Sequence, residues 1–377
     1  MAPAFRYARF DEYDRVRKFL DTSWARGHAY VRMPELFEWT FGRKNLWDRD
    51  GYSFAIAEEG DTIVGCLGGI PFLFNCLGRE SRGVWLVNYL VIPEYRRGPT
   101  ALQLLNMFRR LPYETVIAFG NDPRVAPLYR ALGARILVEI PRHVVVLPGA
   151  ARRMADVLCA TYPEWSRLRG ERLAGVFSVA SVPAEPRQSS RCPPSAWDER
   201  DWPRIAAASV GASRNLEYLT WRYVNHPRFD YQFISIPEGE RTGLLVWRLE
   251  TIRQATPGGL EELDRIGRVV EFLPASRTNA ADLMAGLLHA LVEANAMAAD
   301  YYDYHGQTRG WLGELGFRDV AHDVDGRAIP SRFQPLDGKG GDIQSAVFAQ
   351  HDVPGCSTDT DCVWHWSKSD SDQDRPN

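Results

Sequence analysis

The chain repeats itself. Glu35-x-x-x-Trp39-x-Phe41 returns as Glu217-x-x-x-Trp221-x-Tyr223, with the two tryptophans 182 positions apart. Leu132-Gly133-Ala134 returns as Leu315-Gly316-Phe317, and nearly the same shift carries Val87-Asn88-Tyr89-Leu90 onto Val270-Glu271-Phe272-Leu273. Landmarks that hold one register over such a distance point to two copies of one supersecondary plan. A chain of 377 residues also exceeds the usual single core. The expected division is 1–148 for the first copy, 149–195 for a connecting helix and Pro-rich linker, and 196–377 for the second copy.

Patterning fills in each copy. The first is expected to hold a strand at 5–10, helices at 13–24 and 34–42, and a hairpin of 52–58 with 62–77 around Glu59-Gly60-Asp61. A buried strand at 84–92, a helix at 100–110, a strand at 115–119, a helix at 123–132 and a closing β run at 135–147 follow. The second copy should run through a helix at 216–224, strands at 231–236, 243–249 and 269–273, and a long helix at 279–297. A strand at 301–305 and a short helix at 309–315 end it. The fold class is α/β (α+β), each copy a mixed, mostly antiparallel sheet flanked by helices. Residues 367–374 are polar and low in complexity, and composition alone makes the tail 370–377 a disordered acidic end.

Composition narrows the function classes. Apolar residues make up 45%, charged residues 25%, and the formal net charge is -3, so a ligand gripped through many phosphates, such as nucleic acid, is not expected. No signal peptide and no apolar run of transmembrane length stands out, and a cytoplasmic protein without membrane contact is expected. The six cysteines show no zinc spacing, no metal cluster is visible, and reduced thiols are the expectation, with Cys356–Cys362 the one conceivable link. Oligomeric state is left open.

The segment Val91-Ile92-Pro93-Glu94-Tyr95-Arg96-Arg97-Gly98-Pro99-Thr100-Ala101 takes the chain from a strand through an Arg/Gly loop into a helix. Thr100 and Gln103 have capping-box spacing. Free amides of a first helical turn attract anions, Gly98 admits close backbone approach, and Arg96 and Arg97 suit phosphate oxygens. An ordinary strand–helix turn with solvated arginines would use the same residues. Two further positions stand out on equivalent strands. Asn88 lies in an apolar run and must hydrogen-bond if buried. Glu271 in Val269-Val270-Glu271-Phe272-Leu273 is costly to bury unless paired, or it faces a solvated cleft, where a raised pKa would suit a general base; a Glu on a solvent-facing sheet surface is the plainer alternative. Asp303 and His305, at the end of the next strand, are placed near the same cleft.

The 91–101 segment resembles motif A of the GNAT acyltransferases, V-x-P-x-x-R-x-x-G-x-G/A, with a loop one residue shorter and Pro99 in place of an amide donor. Asn121-Asp122-Pro123 and Leu128-Tyr129-Arg130-Ala131-Leu132-Gly133-Ala134 resemble the family's following pieces. The resemblance implies tandem GNAT-like domains, no tightly bound cofactor, and acyl-CoA as co-substrate. It implies that Leu90, Val91, Ile92, Arg96, Arg97, Gly98, Thr100, Ala101, Asn121 and Tyr129 contact acyl-CoA in the first copy. Tyr129 would protonate the thiolate, Glu271 would serve as base, and Asn88 would assist. The second copy has neither the Arg/Gly loop nor the tyrosine, having Leu312 there, and would shape the acceptor site. The tandem arrangement and the ending Asp372-Gln373-Asp374-Arg375-Pro376-Asn377 resemble, more thinly, bacterial nucleotide-sugar N-acyltransferases, which implies a dTDP-linked amino-dideoxy sugar as acceptor. A Fem-type transferase using aminoacyl-tRNA and a non-catalytic protein that binds acyl-CoA or a nucleotide are the alternatives.

Overall fold

The computed structural model describes residues 2–120, 122–137, 139–186, 190–338, 343–355 and 361–376. Its first half contains β1 (Ala4–Tyr7), α1 (Tyr13–Ser23), α2 (Ala29–Arg32), α3 (Pro34–Phe41), β2 (Phe54–Glu59), β3 (Thr62–Cys76) and β4 (Arg79–Val91). Next come α4 (Thr100–Arg109), β5 (Thr115–Phe119), α5 (Ala126–Ala131), β6 (Arg135–Leu137) and β7 (Arg142–Val146). Two connecting helices, α6 (Ala151–Thr161) and α7 (Arg167–Val176), lead to α8 (Trp202–Ala206), β8 (Val210–Ala212) and α9 (Leu216–Leu219). The second half then has β9 (Gln232–Glu238), β10 (Arg241–Thr256), β11 (Gly259–Leu273), α10 (Arg277–Glu293), β12 (Ala298–Tyr302) and α11 (Gly306–Glu314). Five short strands finish it: β13 (Arg318–Asp319), β14 (Arg332–Phe333), β15 (Leu336–Asp337), β16 (Ser345–Ala349) and β17 (Trp364–His365). Among the described residues no helix is long and apolar enough to cross a membrane.

Two large sheets share one plan. The first runs β1-β2-β3-β4-β5-β16-β6, with β8 added to β3 and β17 to β8, and is antiparallel except for the parallel pairs β4–β5 and β8–β17. The second runs β9-β10-β11-β12-β7-β13, antiparallel except for β11–β12. The plan crosses over once. The stretch 135–147, expected to close the first copy as a single run, divides into two strands in different sheets. Its β6 part stays in the first sheet, while β7 pairs with β12 and β13 in the second. The place left beside β5 is filled by β16, which pairs with β5 and β6. The halves therefore exchange one strand each. They also meet at the repeated tryptophans, which stack at 4.8 Å and 16°. Each indole N–H donates to the backbone carbonyl of the other residue, at 3.1 and 3.4 Å.

The apolar faces sort into three layers. Leu104, Leu105 and Phe108 of α4 cover one face of the first sheet, and α6, α7 and α10 cover the outer face of the second. Between the sheets lies a central core rich in aromatics, among them Phe37, Trp85, Tyr223, Trp364 and Trp366. The C-terminal segment runs into this core. Ser367, Ser369 and Asp370 are fully buried and Asp374 nearly so, and the disorder expected from composition is not found. Its charges are paired: Asp370 with Arg214 at 2.8 Å, Asp374 with Arg248 at 2.6 Å and with the Tyr231 hydroxyl at 2.7 Å. Ion pairs satisfied in this way make burial of a polar segment tolerable.

Candidate active-site cleft

β4 and β5 run parallel only as far as Leu86 and Ala118. There β4 bulges: Leu90 and Val87 oppose Cys66 and Gly68 of β3, so β4 has one residue more than its partner. Asn88 takes up the bulge with φ of 51°, a left-handed conformation that asparagine tolerates better than most residues. Past the bulge the strands diverge, and the edge of β4 that faces β5 has no neighbouring strand among the described residues. A cleft of about 320 Å³ opens there, bordered by Val87, Asn88, Tyr89, Phe119, Gly120 and Tyr129. A larger hollow of about 500 Å³ lies beside β9 and β10 around Phe229 and Trp247 and includes none of the predicted site residues.

Inside the cleft, Asn88 is 6% exposed, and its Oδ1 is buried with no hydrogen-bond partner among the described residues. Its backbone carbonyl accepts from the Cys66 thiol at 3.4 Å. Tyr129 projects from α5, held edge-on by Phe348 of the exchanged strand β16 at 5.8 Å. Burial pushes its phenol up to about 12, so it stays protonated across the physiological range. Its hydroxyl has no hydrogen-bond partner among the described residues. The C-terminal segment roofs one side: Gln373 Nε2 donates to the Phe119 carbonyl at 3.4 Å, over Gly120, whose φ is 69°. A β-carbon at Gly120 would sit 2.5 Å from that side chain.

The loop from 92 to 100 lies beyond the end of β4. The expected capping box is absent: Pro99 is the N-cap of α4, it offers no side-chain cap, and Thr100 is already helical and buried. The reason is local, since the proline's fixed φ fits the helix entry without help from a hydroxyl. The backbone amides of Arg97, Thr100 and Ala101 have no partner among the described residues and form the open first turn. Those of Ile92, Arg96 and Gly98 are taken, by Val64 at 3.0 Å and by Pro93 and Tyr95 at 3.3 Å each. The two arginines also differ. Arg96 Nε donates to the Val91 carbonyl at 2.8 Å and braces the loop, whereas exposed Arg97 has no partner among the described residues. Leu90 and Val91 lie on the unpaired edge of β4. Asn121 falls outside the described residues, as does Cys356.

Glu271 differs from its expectation. It does not border the cleft and is fully buried. Arg214 Nε donates to its Oε1 at 2.7 Å, Tyr223 donates to the same oxygen at 2.5 Å, and His365 Nε2 lies 3.0 Å from Oε2. Burial would raise its pKa, but the Arg214 guanidinium and the His365 and Tyr223 hydrogen bonds hold it below the ordinary carboxylate range. An acid so stabilised as the anion is a poor base, and its part is to tie β11 to the C-terminal segment. Asp303 is fully buried, 3.6 Å from His365 Nδ1, with burial pushing it up to about 7. His305 caps α11 and is lowered to about 4 by burial. Sequence reasoning missed the arginines that organise this core, Arg214 and Arg248, because nothing local marks them as buried.

No protein-family model matches the chain, and no curated protein matches it. Solved structures do. An N-myristoyltransferase of Saccharomyces cerevisiae with bound myristoyl-CoA is similar over 96% of this chain and 87% of its own, at 11% identity and a TM-score of 0.56. A GCN5-related N-acetyltransferase from Anabaena variabilis is similar over 91% of this chain and 72% of its own, at 11% identity and a TM-score of 0.53. At such identities the likeness establishes the fold: two mixed sheets flanked by helices, in the arrangement of the GCN5-related N-acyltransferases.

Proposed function

We propose that the protein is an acyl-CoA-dependent N-acyltransferase whose first copy, 1–148, holds the donor and whose second copy, 196–377, shapes the acceptor site. One observation carries it: the β4 bulge at Asn88 and the parting of β4 from β5, which open a cleft containing a protonated phenol and an unpartnered amide oxygen. The pyrophosphate of CoA would rest on the open amides at Arg97, Thr100 and Ala101 with the Arg97 guanidinium beside it, and the thioester would lie along the unpaired edge of β4. Backbone amides around Leu90 and Val91 would polarise its carbonyl.

A neutral amine, oriented by an N–H donated to Asn88 Oδ1, attacks the thioester carbon. As the C–S bond breaks, Tyr129 gives its proton to the departing sulfur and recovers the proton that nitrogen releases. The step balances without a separate base, in keeping with the paired state of Glu271. The favoured acceptor is the amine of a nucleotide-linked amino-dideoxy sugar of the dTDP type, supported by the sequence resemblance of the tandem copies and the tail.

Calorimetric titration of acetyl-CoA tests the donor. Binding that Arg97→Ala weakens about tenfold is expected, the loss of one charge-assisted phosphate contact. No binding at millimolar CoA would overturn the proposal and favour an aminoacyl-tRNA donor or a nucleotide ligand.

A further inference from the structure

The cleft shares a wall with a second, more polar hollow of about 250 Å³, since Gly120, Arg332, Gln373 and Arg375 border both. Five basic side chains face this hollow, Arg248, Arg268, Arg332, Lys368 and Arg375, against the two carboxylates Glu250 and Asp374. Carboxylates account for three of the five. Arg248 pairs with Asp374 at 2.6 Å and Glu250 at 3.0 Å. Arg268 pairs with Glu250 and, at 3.3 Å, with Asp300 behind it, and Arg375 pairs with Asp372 at 2.5 Å.

Two cations remain. The Arg332 side chain is exposed and has no hydrogen bond or ion pair with a described residue. Lys368 Nζ donates to the Ser331 carbonyl at 3.2 Å, and no carboxylate among the described residues reaches it as an ion pair. The segment that presents them is itself held in place. Arg142 donates to the carbonyls of Ile329 and Pro330 at 2.7 and 2.8 Å, and Arg268 donates to that of Ser331. The charge of Arg332, and that of Lys368 when protonated, is paired with no carboxylate among the described residues, and a cation in a concave wall focuses its field into the hollow.

We infer that Arg332 and Lys368 form an anion subsite that receives a phosphate or carboxylate group of the acceptor while the acceptor's amine lies toward Asn88 in the adjoining cleft. The subsite rests on the proposal that the cleft holds acyl-CoA. Lys368 adds a signature. Burial, with Arg268 beside it, lowers its ammonium to about 7, against the opposing pull of Asp300, Glu250 and Asp374. An anion bound alongside raises that value, so binding near pH 7.5 takes up protons.

The experiment is calorimetric titration of inorganic pyrophosphate, and separately of succinate, into the full chain saturated with CoA, in two buffers of different ionisation enthalpy. The expected result is saturable binding of one of the two with proton uptake, the better ligand identifying phosphate or carboxylate as the group received. Arg332→Gln should weaken it about tenfold, the worth of a charge-assisted contact, and Lys368→Gln should abolish the proton uptake. If CoA binds but neither anion does, or both variants bind as the native chain does, the subsite is wrong and the donor proposal stands. If CoA itself does not bind, the proposal beneath it fails and the subsite falls with it.

Discussion

Glu271 and Asp370 are both fully buried against one guanidinium, that of Arg214. Removing one member strands the others in a medium that solvates charge poorly. Glu271→Gln is therefore expected to cost about 3–5 kcal/mol in urea unfolding, and a loss below about 1 kcal/mol would mean that the network contributes little. The same network sets the response to acid. Glu250, Glu271 and Asp300 are held below their ordinary values chiefly against the effect of burial, by facing arginines. Their stabilisation is complete above the unfolded carboxylate value of about 4.3 and is lost as pH falls toward the depressed folded values. The unfolding midpoint should drop steeply between about pH 5 and 3, and less steeply in Glu271→Gln. At the cleft, Tyr129→Phe is expected to lower kcat about a hundredfold with KM for the acyl donor little changed. An unchanged kcat would rule out the phenol as proton carrier.

The exchanged strand β16 links stability to chemistry at the level of elements, because Phe348 packs edge-on against Tyr129. Phe348→Ala should cost about 3 kcal/mol and also lower kcat, and a stable variant with full turnover would show that Tyr129 needs no such support. Much of the first sheet was legible in sequence, because β2 to β5 are strongly apolar and Gly60 marks their first turn. Other parts were hidden for physical reasons. The hairpin of β10 and β11 extends through 250–268, where Glu250, Arg268 and their neighbours look like surface residues, yet Arg268 and Glu250 pair with each other across the strands. β16 is five residues long and its partners precede it by more than two hundred positions, so no local pattern announces it. The bulge at Asn88 shows in the sequence only as a polar residue in an apolar strand. Its backbone shape depends on the register with β3. The pairing of Glu271 is not legible locally because its partners Arg214 and His365 lie 57 and 94 positions away.

At the scale of the whole molecule, residues 364–374 lock the two sheets together. β17 pairs with β8, and the residues after it hold Arg214 and Arg248 from between the sheets. A chain stopped before Trp364 is expected to show no cooperative thermal transition by circular dichroism, and a normal transition would show that the sheets hold without the tail. The exchange of β7 for β16 also has a consequence for how the protein is made. At ordinary rates of synthesis, roughly 10–40 s pass between the emergence of β5 and that of β16. Throughout that interval the nascent first sheet has an open slot between β5 and β6, a pairing edge that any other extended chain can occupy. That edge stays open until β16 emerges, and slow translation of the second half would lengthen the exposure of the first.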